Sequence, residues 1–228
     1  EREVRGAQEK LLVRLPDFMG SVLVTGCQRS GGTMLSRTLT RSEGMTNYWF
    51  GKDDELAAAL ILSGKVPHTA VGRYCFQTTY LNERWHEYLE HSSGYSMVWS
   101  LRNPHSVVYS MVYNWKGFAL NELFLSCGYA YMNHEDRIRF LRFGVWGVPR
   151  IRRGIYAYIG KVAQLFSLAP ALSQDRLVVV EYDQLIKWKD IVLPRLYERL
   201  NIRFKAADGN EISERSLGKK DKLSSIEK

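Results

Sequence analysis

Arg29 opens a short run, Arg29-Ser30-Gly31-Gly32-Thr33, that follows an apolar stretch ending at Gly26 and precedes a helical pattern over Thr33–Thr40. A strand that enters a glycine-bearing loop and then a helix aims backbone N–H groups and the positive helix end at one point. That is the geometry of an anion site. Gly26, Gly31 and Gly32 allow close backbone approach, Ser30 and Thr33 add hydroxyl donors, and Arg29 adds a cation that stays charged. A plain strand–helix turn would need one glycine; this density favours a phosphate- or sulfate-binding loop.

A magnesium-dependent nucleotide loop reads GxxxxGK[ST], with the lysine on the terminal phosphates and the hydroxyl on the metal. Gly26 and Gly31 have that spacing, but Gly32-Thr33 follow in place of Lys-Ser/Thr, so the lysine is missing and the cation comes earlier. The later apolar run Ser96–Leu101 ends in Arg102-Asn103, not in an aspartate suited to a metal. These residues predict a cationic nucleotide site with no metal ligand. Arg102 closes a predicted strand, the end at which open α/β sheets bind ligands. Asn103-Pro104 suits the cap and first position of the next helix, which carries Ser110 about two turns on.

RSGGTML, residues 29–35, resembles the 5′-phosphosulfate loop of sulfotransferases that use 3′-phosphoadenosine 5′-phosphosulfate (PAPS). WSLRNPHSVVYSMVYNW, residues 99–115, is similar to that family's strand–R-[DN]-P–helix segment, with Arg102 and Ser110 matching in type and spacing. RLVVVEYDQLI, residues 176–186, resembles its strand ending in Y-[ED]-x-L, and the three segments stand in family order. The resemblance implies one domain over residues 1–228, with a P-loop-NTPase-like three-layer α/β fold: a parallel sheet flanked by helices. It also implies in-line, metal-independent transfer of a sulfuryl group from PAPS, as co-substrate, to a hydroxyl or amine of a small-molecule, glycan or peptide acceptor. Arg29 would then face the bridging and leaving oxygens, where many relatives carry Lys. The amides of Ser30, Gly31, Gly32, Thr33 and Met34 would grip the 5′-phosphate, and Arg102 and Ser110 would hold the 3′-phosphate. Tyr182 matches a family tyrosine near the nucleotide, although a core tyrosine fits as well. Lys219 or Lys220, in a short basic end closer to bacterial and Golgi-type members than to cytosolic phenol sulfotransferases, either reaches the 3′-phosphate or is a solvated tail.

An acceptor hydroxyl must lose a proton as the sulfuryl group arrives, so a His, Glu or Asp is expected nearby. Relatives place a His after the second strand or a Glu beyond the first helix. The second-strand match, VGRYCFQ (residues 71–77), offers Arg73 for the family Lys but no His. Candidates are therefore Glu55 first, then Asp54, then His68, with Asp53 beside them. The alternative for each acid is a charged helix N-terminus favoured by the macrodipole.

The elements that must position these groups follow from the apolar pattern. Continuous runs predict strands at 21–26, 69–75, 96–101 and 176–182, and 3.6-residue spacing predicts helices at 33–40, 56–62, 81–89, after Pro104, and at 151–168 and 190–200. Strands alternating with helices make a parallel sheet. The stretch 118–146 reads as helices and loops forming a substrate lid. Tyr129, Tyr131, Phe140, Phe143 and Trp146 either wall an acceptor pocket or fill the core. The chain has 228 residues, 45% apolar and 25% charged, which excludes general disorder. The net charge of +8 suits an anionic partner, but no basic aromatic motif points to nucleic acid. Rival readings are a P-loop kinase and a non-catalytic nucleotide-binding relative. Cys27, Cys75 and Cys127 are odd in number and widely spaced, so no disulfide framework is implied, and no apolar run is long enough for a membrane span. No Asn-x-Ser/Thr sequon occurs, which points to the cytoplasm; a targeting signal upstream of Glu1 would lie outside this sequence.

Overall fold

The structure, a computed structural model, describes residues 10–50, 53–69, 71–91, 94–209 and 212. Three of the apolar runs fold as β1 (Ser21–Gly26), β3 (Tyr95–Leu101) and β4 (Leu177–Glu181). With a short β2 (Cys75–Gln77) they form a four-stranded parallel sheet in the order β2-β1-β3-β4. After β1 the chain turns toward β2, and after β3 it turns the other way, toward β4. The reversal leaves a crevice between the carboxyl ends of β1 and β3, where sheets of this kind bind ligands.

Helices cover both faces. In chain order they are α1 (Gly32–Thr40), α2 (Asp54–Leu62), α3 (Glu87–Glu90), α4 (Pro104–Tyr113), α5 (Gly117–Leu123), α6 (His134–Phe143), α7 (Arg150–Leu168), α8 (Tyr182–Lys187) and α9 (Lys189–Arg199). Side chains alternate across the strands and so feed two cores. Leu23, Phe76, Met97 and Trp99 pack with Phe18, Ala58, Ile61, Tyr88 and Leu168 on one face. Val22, Val24, Cys75 and Val98 pack with Leu35, Leu39, Leu185 and Tyr197 on the other. A third cluster, with Val107, Met111, Leu120, Phe124 and Ala157, ties α4, α5 and a π-helical turn (Phe124–Gly128) to α7.

The expected second strand, 69–75, shifts to Cys75–Gln77. Gly72 turns the chain at φ +108°, and the Arg73 guanidinium donates to the carbonyls of Gly20 (2.7 Å), Asn201 (2.7 Å) and Leu200 (2.5 Å). Arg73 therefore ties down the amino-terminal edge of the sheet, and its side chain is spent away from the crevice. In place of the expected helix at 81–89 the chain forms a 3-10 segment, Thr79–Arg84, kinked within by Asn82 at φ +40°, and then the single turn α3.

β1 and β3 approach most closely at Gly26, paired with Ser100. Gly26 has φ +130°, and a Cβ there would lie 2.4 Å from the Ser100 carbonyl oxygen. Gly26→Ala is expected to cost about 1–3 kcal/mol of stability, as an overpacked core does, read by urea unfolding. An unchanged midpoint would show that the strands can separate there at no cost.

Candidate functional site

The loop that leaves β1 is held from below. Ser100 Oγ donates to the Ser30 carbonyl (2.7 Å), and the Ser30 amide donates to Cys27 O (3.1 Å). Ser30 is fully buried and its hydroxyl meets no hydrogen-bond partner. Its amide and hydroxyl, expected to grip an anion, thus sit under the loop, with the amide already engaged. Gly31 caps α1 at φ +93°, and the Tyr182 ring lies where a Cβ would be, 2.0 Å from the nearest ring carbon. No side chain caps α1, and its first intrahelical bond is Leu35 N–H to Gly31 O (3.1 Å). The first amides of a helix have no intrahelical acceptor, and Gly32, Thr33 and Met34 all line a cavity of about 300 Å³ at this end.

The same cavity is lined by Cys27, Gln28, Arg29, Gly31, Glu55, Gln77, Thr79, Arg102, Ser110 and Trp115. Residues from four separate segments meet here. Arg29, at φ +71°, donates from Nε to Ser110 Oγ (3.0 Å), which joins the loop to α4 across 81 positions of sequence. Asn103 accepts from His105 N–H (3.0 Å) and Ser106 N–H (3.4 Å), so α4 starts at Pro104 as its sequence predicts and places Ser110 on its inner face. Arg102 is buried, donates to Asp183 Oδ1 (3.1 Å) and lies over the Tyr182 ring at 4.8 Å. Tyr182 is accordingly both a core residue and a platform for Arg102. The Arg29 guanidinium is open to solvent on one side. Even so, partial burial first and the charge of Arg102 second hold its pKa below the ordinary arginine value. Two cations repelling across one cavity are stabilised by an anion between them.

The acids separate cleanly. Asp53 caps α2, accepting from Glu55 N–H and Leu56 N–H (both 3.1 Å). Asp54 points back toward α1 and is gripped by Arg37 through two bonds of 2.7 Å, with Trp49 beneath that guanidinium at 5.2 Å. Asp54 is buried and lines neither cavity; its carboxylate is a structural clasp. Glu55, half-buried, lines the loop cavity and also a second one, of about 370 Å³, with Gln28, Asp53, Asn114, Trp115, Lys116, Phe118 and Ala119. His68 packs against Phe18 and Tyr74, with centroids at 6.2 and 5.4 Å, and lines neither cavity. It stands beside the amino-terminal edge of the sheet, roughly 15–20 Å of strand from the loop. Burial first, and Arg14 second, lower its pKa.

Of the expected lid aromatics, Tyr129, Tyr131, Phe143 and Trp146 are exposed and Phe140 is half-buried against Phe124; none lines either cavity. Phe118 and Trp115 take that place. Lys219 and Lys220 lie outside the described residues. Among the described residues no helix is long and apolar enough to cross a membrane, and no group of three or more His, Cys, Asp or Glu gathers to hold a metal.

A sulfotransferase domain from the curacin biosynthetic pathway superposes at a TM-score of 0.52, with 15% identity, over 86% of this chain and 78% of that one. The fold is that of sulfotransferase domains. A second such domain, from the Synechococcus PCC 7002 olefin synthase, superposes at 0.54 with 14% identity and the same coverage. No protein-family model and no curated protein matches the sequence. Within this sulfotransferase fold, sequence reasoning passed over Gln28, Gln77, Thr79 and Trp115, which line the loop cavity, and Asp183, which orients Arg102. Asp183 had a signal, the acidic position of Y-[ED]-x-L; the other four are marked only by lying at or just past strand or helix ends.

Asp54→Asn should lower stability by about 1.5–3 kcal/mol, the range for a charge-assisted bond, because Arg37 keeps partial solvent contact and rehydrates. Its effect on anion binding at the loop should be small. Chemical denaturation beside a titration of the loop ligand checks this, and a large binding loss with intact stability would return Asp54 to the working site.

Proposed function

We propose that the protein is a PAPS-dependent sulfotransferase that moves a sulfuryl group to a hydroxyl or amine of an acceptor held in the second cavity. The observation that carries this reading is the convergence of Arg29, Ser110 and Arg102 on the α1 amides, at the sheet's crevice, in a chain with the fold of sulfotransferase domains. PAPS, when bound, supplies the activated sulfuryl group and a phosphate leaving group. The residues fit its anions: Gly32 to Met34 and Arg29 suit the 5′ end, and Arg102 with Ser110 suits the 3′-phosphate.

Most of the catalytic work is positioning and charge stabilisation. Arg29 stays protonated and so acts electrostatically, on the oxygen that gains charge as the sulfur–oxygen bond to phosphate breaks. Glu55 borders both cavities and is the base: its carboxylate takes the proton from the acceptor oxygen or nitrogen as that atom bonds to sulfur. Trp115, Lys116 and Phe118 line the second cavity and give the acceptor both aromatic and cationic contacts.

Glu55→Gln should lower turnover of labelled PAPS by about 10²–10⁴-fold while leaving nucleotide affinity nearly unchanged, because binding needs no base. Full turnover in this variant would remove Glu55 from that role. Arg102→Ala should weaken 3′-phosphoadenosine 5′-phosphate by roughly ten- to a hundredfold, with a much smaller effect on AMP. Equal losses for the two nucleotides would show that Arg102 does not read the 3′-phosphate.

A further inference from the structure

Lys161 lies in the middle of α7 and is 1% exposed. Its Nζ donates to the Thr79 carbonyl (3.2 Å), and Gln28 Nε2 donates to the same oxygen (3.0 Å) and to Asn82 Oδ1 (2.9 Å). Gln164, one turn further along α7, donates to Asn82 O (2.9 Å) and closes the cluster. Among the described residues no carboxylate lies within ion-pair distance of Lys161. The nearby thiols do not serve either: burial pushes both Cys27 and Cys127 up, with the Lys161 charge only a lesser, opposing cause. A buried ammonium with one carbonyl for company is costly, and natural proteins rarely leave it uncompensated.

The missing counter-charge has an obvious place. Thr79, Gln28 and Cys27, which surround Lys161 on one side, line the loop cavity on the other, and the Thr79 methyl lies 3.7 Å from where a Cβ on Gly32 would be. We propose that Lys161 is a buried counter-charge for the anion bound by the loop, a positioning residue that acts through the wall formed by Thr79, Gln28 and Cys27 without lining the cavity itself. Arg29, Arg102 and Lys161 then place positive charge on three sides of one anion. The first two approach it from the crevice and the third from inside the protein, where screening by salt is weak.

The proposal rests on the functional reading only for its first probe. Calorimetry would titrate 3′-phosphoadenosine 5′-phosphate, and inorganic pyrophosphate in parallel, into the wild type, Lys161→Met and Lys161→Gln. Methionine matches the stem without charge; glutamine keeps a donor for Thr79 O without charge. Both variants should bind the anion about tenfold or more weakly, the size expected of one charge acting at an effective dielectric near 20. The melting temperature of unliganded Lys161→Met should hold or rise, because the cost of burying the charge is gone. A merely structural lysine would give the reverse: a lower melting temperature and unchanged affinity. Unchanged affinity in either variant overturns the proposal, and in Lys161→Gln it would credit the hydrogen bond. If Lys161→Met does not fold, Lys161→Gln decides alone. Pyrophosphate binding without nucleotide binding would sink the PAPS reading and leave Lys161 to be judged on pyrophosphate; binding of neither would sink both.

Discussion

Gly26 and Ser100 face each other in adjacent parallel strands, close enough that no side chain fits between them, and the site is built on that approach. It lets Ser100 hold the Ser30 carbonyl, which sets the loop, and it brings Arg29 after β1 within reach of the helix that follows β3. Parallel register does the rest. Because β1 and β3 run the same way, their carboxyl ends open on one crevice, and the connections that leave them step to opposite sides of the sheet, which keeps that crevice clear.

The chain's excess of positive charge is a poor guide to its binding surface, since much of it is employed elsewhere. Arg73 closes the opposite edge of the sheet on backbone carbonyls, Arg37 clasps Asp54, and Arg152 binds the fully buried Asp136 (2.8 Å). What distinguishes Arg29 and Arg102 is arrangement: both line one cavity at the start of α1, with Lys161 behind its wall at Thr79, Asp183 bonded to Arg102, and Glu55 the one carboxylate on the lining among the described residues. On the proposed function, this arrangement holds an anion at the centre and leaves Glu55 to accept a proton at the margin.

Where function depends on local sequence, the sequence was legible. Continuous apolar runs marked β1, β3 and β4, the glycine-rich loop marked the start of α1, and Asn103-Pro104 fixed α4 and hence Ser110. Where function depends on which face of an element turns inward, it was not. Asp54 and Glu55 are neighbours in sequence, yet one helical step of about 100° sends the first to Arg37 and the second to the cavities. Three-residue β2 has too few positions to show a period, so its start was displaced by the apolar residues before Gly72. Ser30 reads as a loop donor, but tertiary packing turns it under. Lys161 did carry a signal: it falls on the buried stripe Ala157, Lys161, Leu165, Leu168 of α7, whose other basic residues, Arg150, Arg152 and Arg153, stand in its first turn.

On the proposed function, this crevice binds a nucleotide through two separate phosphate positions and without help from magnesium. Calorimetric titration of the wild type with 3′-phosphoadenosine 5′-phosphate in the presence of a chelator tests it most directly, alongside ATP with magnesium. Saturable binding of the 3′-phosphorylated nucleotide is expected, with about 2.7 kcal/mol of added stability at one hundred times its dissociation constant. Binding of magnesium–ATP, with none of the 3′-phosphorylated nucleotide, would contradict it.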